Sequence, residues 1–222
     1  MVTPRAKKQS DFPPNPAQWQ PERNGLKFRH RFAVPPDVPL QPFEIGKRFP
    51  DATLLRRDDL ERLVAPEDLA EAFGPARFRW SAVTVPIPGV GNVIILNDTH
   101  ATTRQNATLM EEFFHIVLRH KPSKIKPCPH TGLMRREFDS SMEEEAYWSA
   151  AAALVPYGAL RCMVEQGHTI SGIATYFEVS VDLVEFRLKV TKLWRKVSVG
   201  SSSNAASQHR SGYAVWSAVS RN

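Results

Sequence analysis

The chain has 222 residues, 42% of them hydrophobic, and a formal net charge of +6, enough for one ordinary core with appendages. Two cysteines, Cys128 and Cys162, are too few for a disulfide scaffold, no apolar run approaches the roughly 20 residues of a membrane span, and the first residues lack the apolar stretch of a secretory signal. The expectation is a cytoplasmic protein with no membrane partner. Seven basic residues against two acidic ones fall within residues 1–31, so the remainder is nearly neutral and offers little reason to expect a broad nucleic-acid surface.

Residues 1–42 carry nine prolines among many polar residues, which predicts an extended or disordered leader. The pattern turns globular at Phe43. A short helix is expected over Phe43 to Phe49, and a clearer one over Ala65 to Phe73, with Pro66 in its first turn and Gly74 as its stop. Two β-rich runs follow, Phe78 to Val85 and Val93 to Leu96, separated by PIPGVGN. They predict a hairpin or small antiparallel sheet that leads through Asn97 to Ala101 into a helix. His100 reads as a loop histidine without a ligand role.

The next stretch, TTRQNATLMEEFFHIVLRHK over residues 102–121, carries the chemistry. Thr102 and Gln105 have capping-box spacing, and Pro122 discourages continuation past Lys121. Leu109, Met110, Phe113, Phe114, Ile116, Val117 and Leu118 leave little solvated face, yet Glu111, Glu112 and His115 sit among them. A buried carboxylate is costly without a partner, a hydrogen-bond network or a cation. Glu111 and His115 are four apart and share a face, while Glu112 is rotated by about 100°. This is the layout of the H-E-x-x-H metal motif, in which the outer residues ligate and the second is the general base, with glutamate in the first position. Five such residues also occur on ordinary surface helices. Pairing of Glu111 and Glu112 with Arg104 or Arg135, with no ion, is a further alternative.

Residues 122–140 read as a linker, in which Cys128 and His130 lack further ligands at suitable spacing. His120 is expected to point away from the motif. Residues 140–157, SSMEEEAYWSAAAALVPY, predict a second helix, with capping-box spacing at Ser141 and Glu144 and alanines slim enough for close packing. Acidic residues in a first turn suit the helix dipole. Glu143, however, shares a face with Ala146, Tyr147, Ala150 and Leu154, so its carboxylate can reach the motif helix. Over residues 159–198, Ile173, Ala174, Phe177, Val179, Ser180, Val184 and Leu188 have helix-turn-helix spacing. Asp182 and Glu185 oppose phosphate binding on the second helix, whereas Arg187 and Lys189 favour it. Residues 199–222 read as a flexible tail.

Three blocks in this order, ILNDTHATTRQNATLMEEFFHIVLRH, EEEAYWSAAAALVP and IATYFEVSVDLVEFRL, resemble the ImmA/IrrE family of bacterial metallo-endopeptidases over about residues 43–195. The resemblance implies His115 and Glu143 as metal ligands, Glu112 as catalytic base and Arg104 as a turn residue, with Glu145 the fallback ligand. Glu111 stands where the family has its first histidine, and Tyr147 where it usually has asparagine. Zinc is the first expectation, and a carboxylate there makes the site harder and more anionic, which lowers selectivity for zinc and admits manganese or iron as alternatives.

The expectations are therefore an α+β, mainly helical fold with a small antiparallel sheet on a zincin-like motif helix, followed by a helix-turn-helix-like element. The domain division is a leader over 1–42, a metallopeptidase-like domain over 43–158, the helical element over 159–198 and the tail. The expected function is metal-dependent hydrolysis of a peptide bond, with Glu111, His115 and Glu143 as ligands and Glu112 as base, on a protein substrate of the repressor type. The alternative is an inactive family member that regulates transcription by binding DNA or protein.

Overall fold

Helix α1 (Trp19–Arg31) lies where the proline count predicts an extended leader. The structure, a computed structural model, describes residues 12–121, 124–127, 134–137 and 139–197. Pro16 opens a 3-10 turn whose N-cap Asn15 accepts from the Ala17 amide, and Pro21 falls in the first turn of α1, where a missing N–H costs nothing. From Glu22 to Arg31 the helix is free of proline, and Phe28, with Phe32 just beyond, faces the core. The leader expectation is thus corrected over residues 12–42: proline placement, not proline number, decides whether a helix forms.

Further along the chain, α2 (Pro42–Gly46), β1 (Ala52–Leu55), α3 (Arg57–Leu60) and α4 (Pro66–Phe73) precede β2 (Ala82–Ile87) and β3 (Gly91–Leu96). Strands β2 and β3 form the expected hairpin, turned at Gly89 and Gly91, whose φ of 78° and 109° suit glycine. Strand β1 pairs with β3 in parallel. The sheet, ordered β1-β3-β2, is mixed rather than purely antiparallel; β1, with three partly buried residues and only Thr53 exposed, carries no alternation that would announce a strand. Helix α5 (Thr102–Val117) follows. Strands β4 (Lys124–Pro127) and β5 (Met134–Glu137) pair in antiparallel fashion within the segment expected to be a linker. Then come α6 (Ser140–Leu154), α7 (Tyr157–Glu165), α8 (Ile170–Phe177) and α9 (Val181–Val190). Among the described residues, no helix is long and apolar enough to cross a membrane.

Helix α6 packs against both α1 and α5, and its alanines explain how closely. Ala146, Ala150, Ala151, Ala152 and Ala153 are all buried, and on α1 the facing residue is Gly25, where an added Cβ would stand 2.7 Å from Ala153 N. Between α1, α2 and α5 an aromatic cluster fills the core: the Phe49 and Phe113 rings lie 4.4 Å apart and those of Phe28 and Phe114 5.2 Å. Two buried arginines fasten the C-terminal end of α6. Arg29 donates to the carbonyls of Ala153, Leu154, Pro35 and Val38. Arg187 on α9 donates to Val155 O at 2.9 Å and pairs with Glu22 Oε2 at 2.5 Å, while Glu22 Oε1 accepts from the Tyr157 amide.

Thr169 and Ser180 cap α8 and α9 by accepting from Gly172 N and Leu183 N. The pair is held to α5 through Asn106, whose side chain donates to Glu178 O at 3.0 Å. Arg187, expected as a phosphate contact, is 0% exposed, so it serves the interior. Its approach to Glu22 across the core has no local sequence signal.

Candidate metal centre

Helix α5 begins without the expected capping box. Ala101 is the N-cap, Thr102 is already helical, and the Gln105 amide turns back to donate to Asp98 O at 3.0 Å and His100 O at 2.6 Å. The loop from β3 is thereby pinned to the helix. Helical periodicity then puts Glu111 and His115 on one face. From α6 comes Glu143, in a first turn capped by Asp139 rather than Ser141, with Asp139 Oδ1 accepting from Ser141 N. One ligand atom each from Glu111, His115 and Glu143 lie within 4.8 Å of one another, and His115 Nε2 is 3.6 Å from Glu143 Oε2. All three residues are partly buried.

The electrostatics of the cluster favour positive charge among these side chains. Burial, then the neighbouring charge of Glu112, pushes the Glu111 carboxyl from its ordinary 4.5 to about 8; His115 opposes this shift and Glu143 adds to it. Desolvation works against a charged His115, but the nearby carboxylate of Glu143, 3.6 Å away, and the charges of Glu112 and Glu111 outweigh it, and the imidazole pKa rises. Without an ion, protons take its place.

Glu112 is turned toward the sheet. Its Oε2 accepts a 2.5 Å hydrogen bond from Thr84 Oγ1 on β2. Thr84 is a site-facing residue that the sequence reading missed, and no sequence signal links a mid-strand threonine to a distant glutamate.

His120 is the other residue missed. Helix α5 stops at Val117, not Lys121, because Arg119 adopts a left-handed conformation with φ of 57°. Arg119 N then bonds Ile116 O, and His120 N bonds His115 O, a Schellman end that folds the chain back. His120 Nδ1 consequently lies 3.1 Å from His115 Nδ1, and its Nε2 lies 3.3 Å from Glu145 Oε2. Glu145, the fallback ligand, thus partners His120 and stands outside the Glu-His-Glu group.

The remaining candidates are placed as follows. Arg104 donates to Ser81 Oγ at 2.7 Å, just before β2. Tyr147 packs its ring 5.0 Å from that of Phe186 on α9, joining the site helix to the C-terminal helices. His100 Nε2 is 3.0 Å from Trp80 O. Cys128 and His130, and the side chain of Arg135, lie outside the described residues.

Two carboxylates and an imidazole are ligands that first-row divalent ions accept. Tetrahedral ligands about 2.0–2.2 Å from an ion stand about 3.4 Å apart, and the His115–Glu143 separation of 3.6 Å is already near that. Comparison with curated proteins gives no match, and comparison with solved structures gives none. A family model described as the IrrE N-terminal-like domain matches residues 53–189, more than half of the 222 residues, taking in the three-stranded sheet and both site helices; the chain belongs to this ImmA/IrrE family of metallopeptidase-like proteins.

Proposed function

We propose that the chain is a metal-dependent endopeptidase in which Glu111, His115 and Glu143 hold one divalent cation and Glu112 is the general base. The observation that carries this reading is the convergence of those three ligand atoms within 4.8 Å. A bound ion would supply Lewis-acid polarisation of a peptide carbonyl and make a nearby water more acidic. Zinc is the first choice, and the two carboxylates also suit manganese or iron.

The chain's own residues provide the remaining chemistry. Glu112, steadied by Thr84, accepts the proton of the attacking water as the new C–O bond forms. As the C–N bond breaks, the same carboxyl returns that proton to the leaving amine, and the second proton of the water follows from the new carboxyl group, so the two products are a carboxylate and an ammonium. Helix α6 presents Glu143 rigidly because its alanine face is locked between α1 and α5. The substrate we propose is a regulatory protein of the repressor type, the target class to which the family resemblance points.

Turnover tests the reading. Protein loaded with zinc, manganese or iron(II) is incubated with a quenched-fluorescent peptide library and with a repressor-type protein, and fragments are identified by mass spectrometry. Wild type should cleave and Glu112→Gln should not, at equal metal content. Bound metal without cleavage of any substrate would favour the alternative, an inactive member that acts by binding DNA or protein.

A further inference from the structure

His115 offers one ring nitrogen to the Glu-His-Glu group and the other to a second chain of polar groups that the mechanism above does not use. We propose that His120 and Glu145 are positioning residues that fix the ring and tautomer of His115, so that its bare Nε2 faces the cation. This inference rests on the metal-centre reading.

Glu143 and Glu145 both come from the start of α6; Glu143 stands beside Nε2 of His115, and Glu145 is linked to its Nδ1 through His120. Glu143 Oε2 stands 3.6 Å from Nε2, while Glu145 Oε2 reaches His120 Nε2 at 3.3 Å and His120 Nδ1 reaches His115 Nδ1 at 3.1 Å. The His120 side chain is only 6% exposed, and its ring meets that of His115 edge-on at an interplanar angle of 74°.

Donor and acceptor rules order the chain of bonds. An ionised carboxylate only accepts, so His120 Nε2 carries the hydrogen bonded to Glu145. A neutral imidazole has one N–H, so His120 Nδ1 must accept, and the donor to it is His115 Nδ1–H. The Nε2 lone pair of a neutral His115 is then directed at the cluster. Outer partners of this kind set the orientation and basicity of a ligating imidazole, and their loss typically costs about 10- to 100-fold in metal affinity. Here the carboxylate acts through an intervening histidine, which the left-handed Arg119 brings back over the helix end.

The test is zinc affinity, measured by competition with a chromophoric chelator, for wild type, His120→Ala, His120→Asn and Glu145→Ala, together with 15N NMR of the His115 ring in metal-free protein at a pH above its titration. His120→Ala should weaken zinc binding about 10- to 100-fold. His120→Asn, whose carbonyl replaces the Nδ1 acceptor, should recover most of that loss, and Glu145→Ala should fall between. In wild type the spectrum should show a protonated Nδ1 and a bare Nε2 on His115, and His120→Ala should show a tautomer mixture. If wild type binds zinc while His120→Ala and Glu145→Ala match it in affinity and tautomer, the positioning role is overturned. If wild type binds neither zinc, manganese nor iron, the metal-centre reading itself falls and takes this inference with it.

Discussion

Thr84 on β2 donates a hydrogen bond from its hydroxyl to Oε2 of Glu112 on α5 at 2.5 Å, so the sheet edge and the motif helix meet at the proposed base. Replacing the base and replacing its anchor should therefore differ in degree. Glu112→Gln should lower kcat by about 10²- to 10⁴-fold with metal content unchanged. Thr84→Val leaves the carboxylate but not its orientation, and should cost about 10- to 100-fold. Steady-state kinetics on a cleaved peptide, alongside metal analysis of each variant, check both.

The pH dependence of the metal-free protein follows from the raised pKa values. Glu111 moves from an ordinary 4.5 to about 8, and His115 moves up from 6.5. In that window the folded state binds more protons than the unfolded one, so stability is fully present below about pH 4.5 for the Glu111 contribution and is lost as pH rises through 8. Metal binding must displace the same protons, so zinc affinity should rise with pH over this range. Thermal midpoints with chelator should fall toward pH 8, those with saturating zinc should not, and Glu111→Gln should flatten the chelator curve.

The buried pair of Glu22 and Arg187, with side chains 1% and 0% exposed, makes a stability prediction. Removing either partner strands a charge in the core, so Glu22→Ala and Arg187→Ala should each destabilise the fold by about 3–5 kcal/mol. The double variant should lose less than the sum, because no charge remains unpaired. Urea unfolding of the four proteins provides the cycle.

Docking of α1 against α6 yields another. Gly25→Ala brings a methyl to 2.7 Å from backbone N of Ala153, where only movement of the helix can relieve it, and should cost about 1–3 kcal/mol. A chain starting at Phe43 loses Phe28, Phe32, Leu40 and Arg29 from the core, and should fail to give a cooperative unfolding transition.

What the residues disclosed in advance was mostly periodic. The Glu111/His115 spacing and the inward face of α6 through Glu143, Ala146 and Ala150 follow from 3.6 residues per turn, as does the hairpin from its glycines. What stayed hidden depends on distant partners. Glu22 and Arg29 look like solvated charges until Arg187, Val155, Ala153 and Leu154 are placed around them. His120 turns back toward His115 because Arg119 takes a left-handed conformation, which an arginine does not announce in the chain. Strand β1 has no signal of its own, because its four residues become a strand only beside β3.

Metal content is the most direct measurement. Purified protein stripped with chelator, then equilibrated separately with zinc, manganese and iron(II), is assayed by elemental analysis and calorimetry beside Glu111→Ala, His115→Ala and Glu143→Ala. One ion per wild-type chain, with binding weakened in all three variants, is the predicted result. Absence of binding for every ion, or binding indifferent to all three substitutions, would contradict the assignment of this cluster as a metal centre.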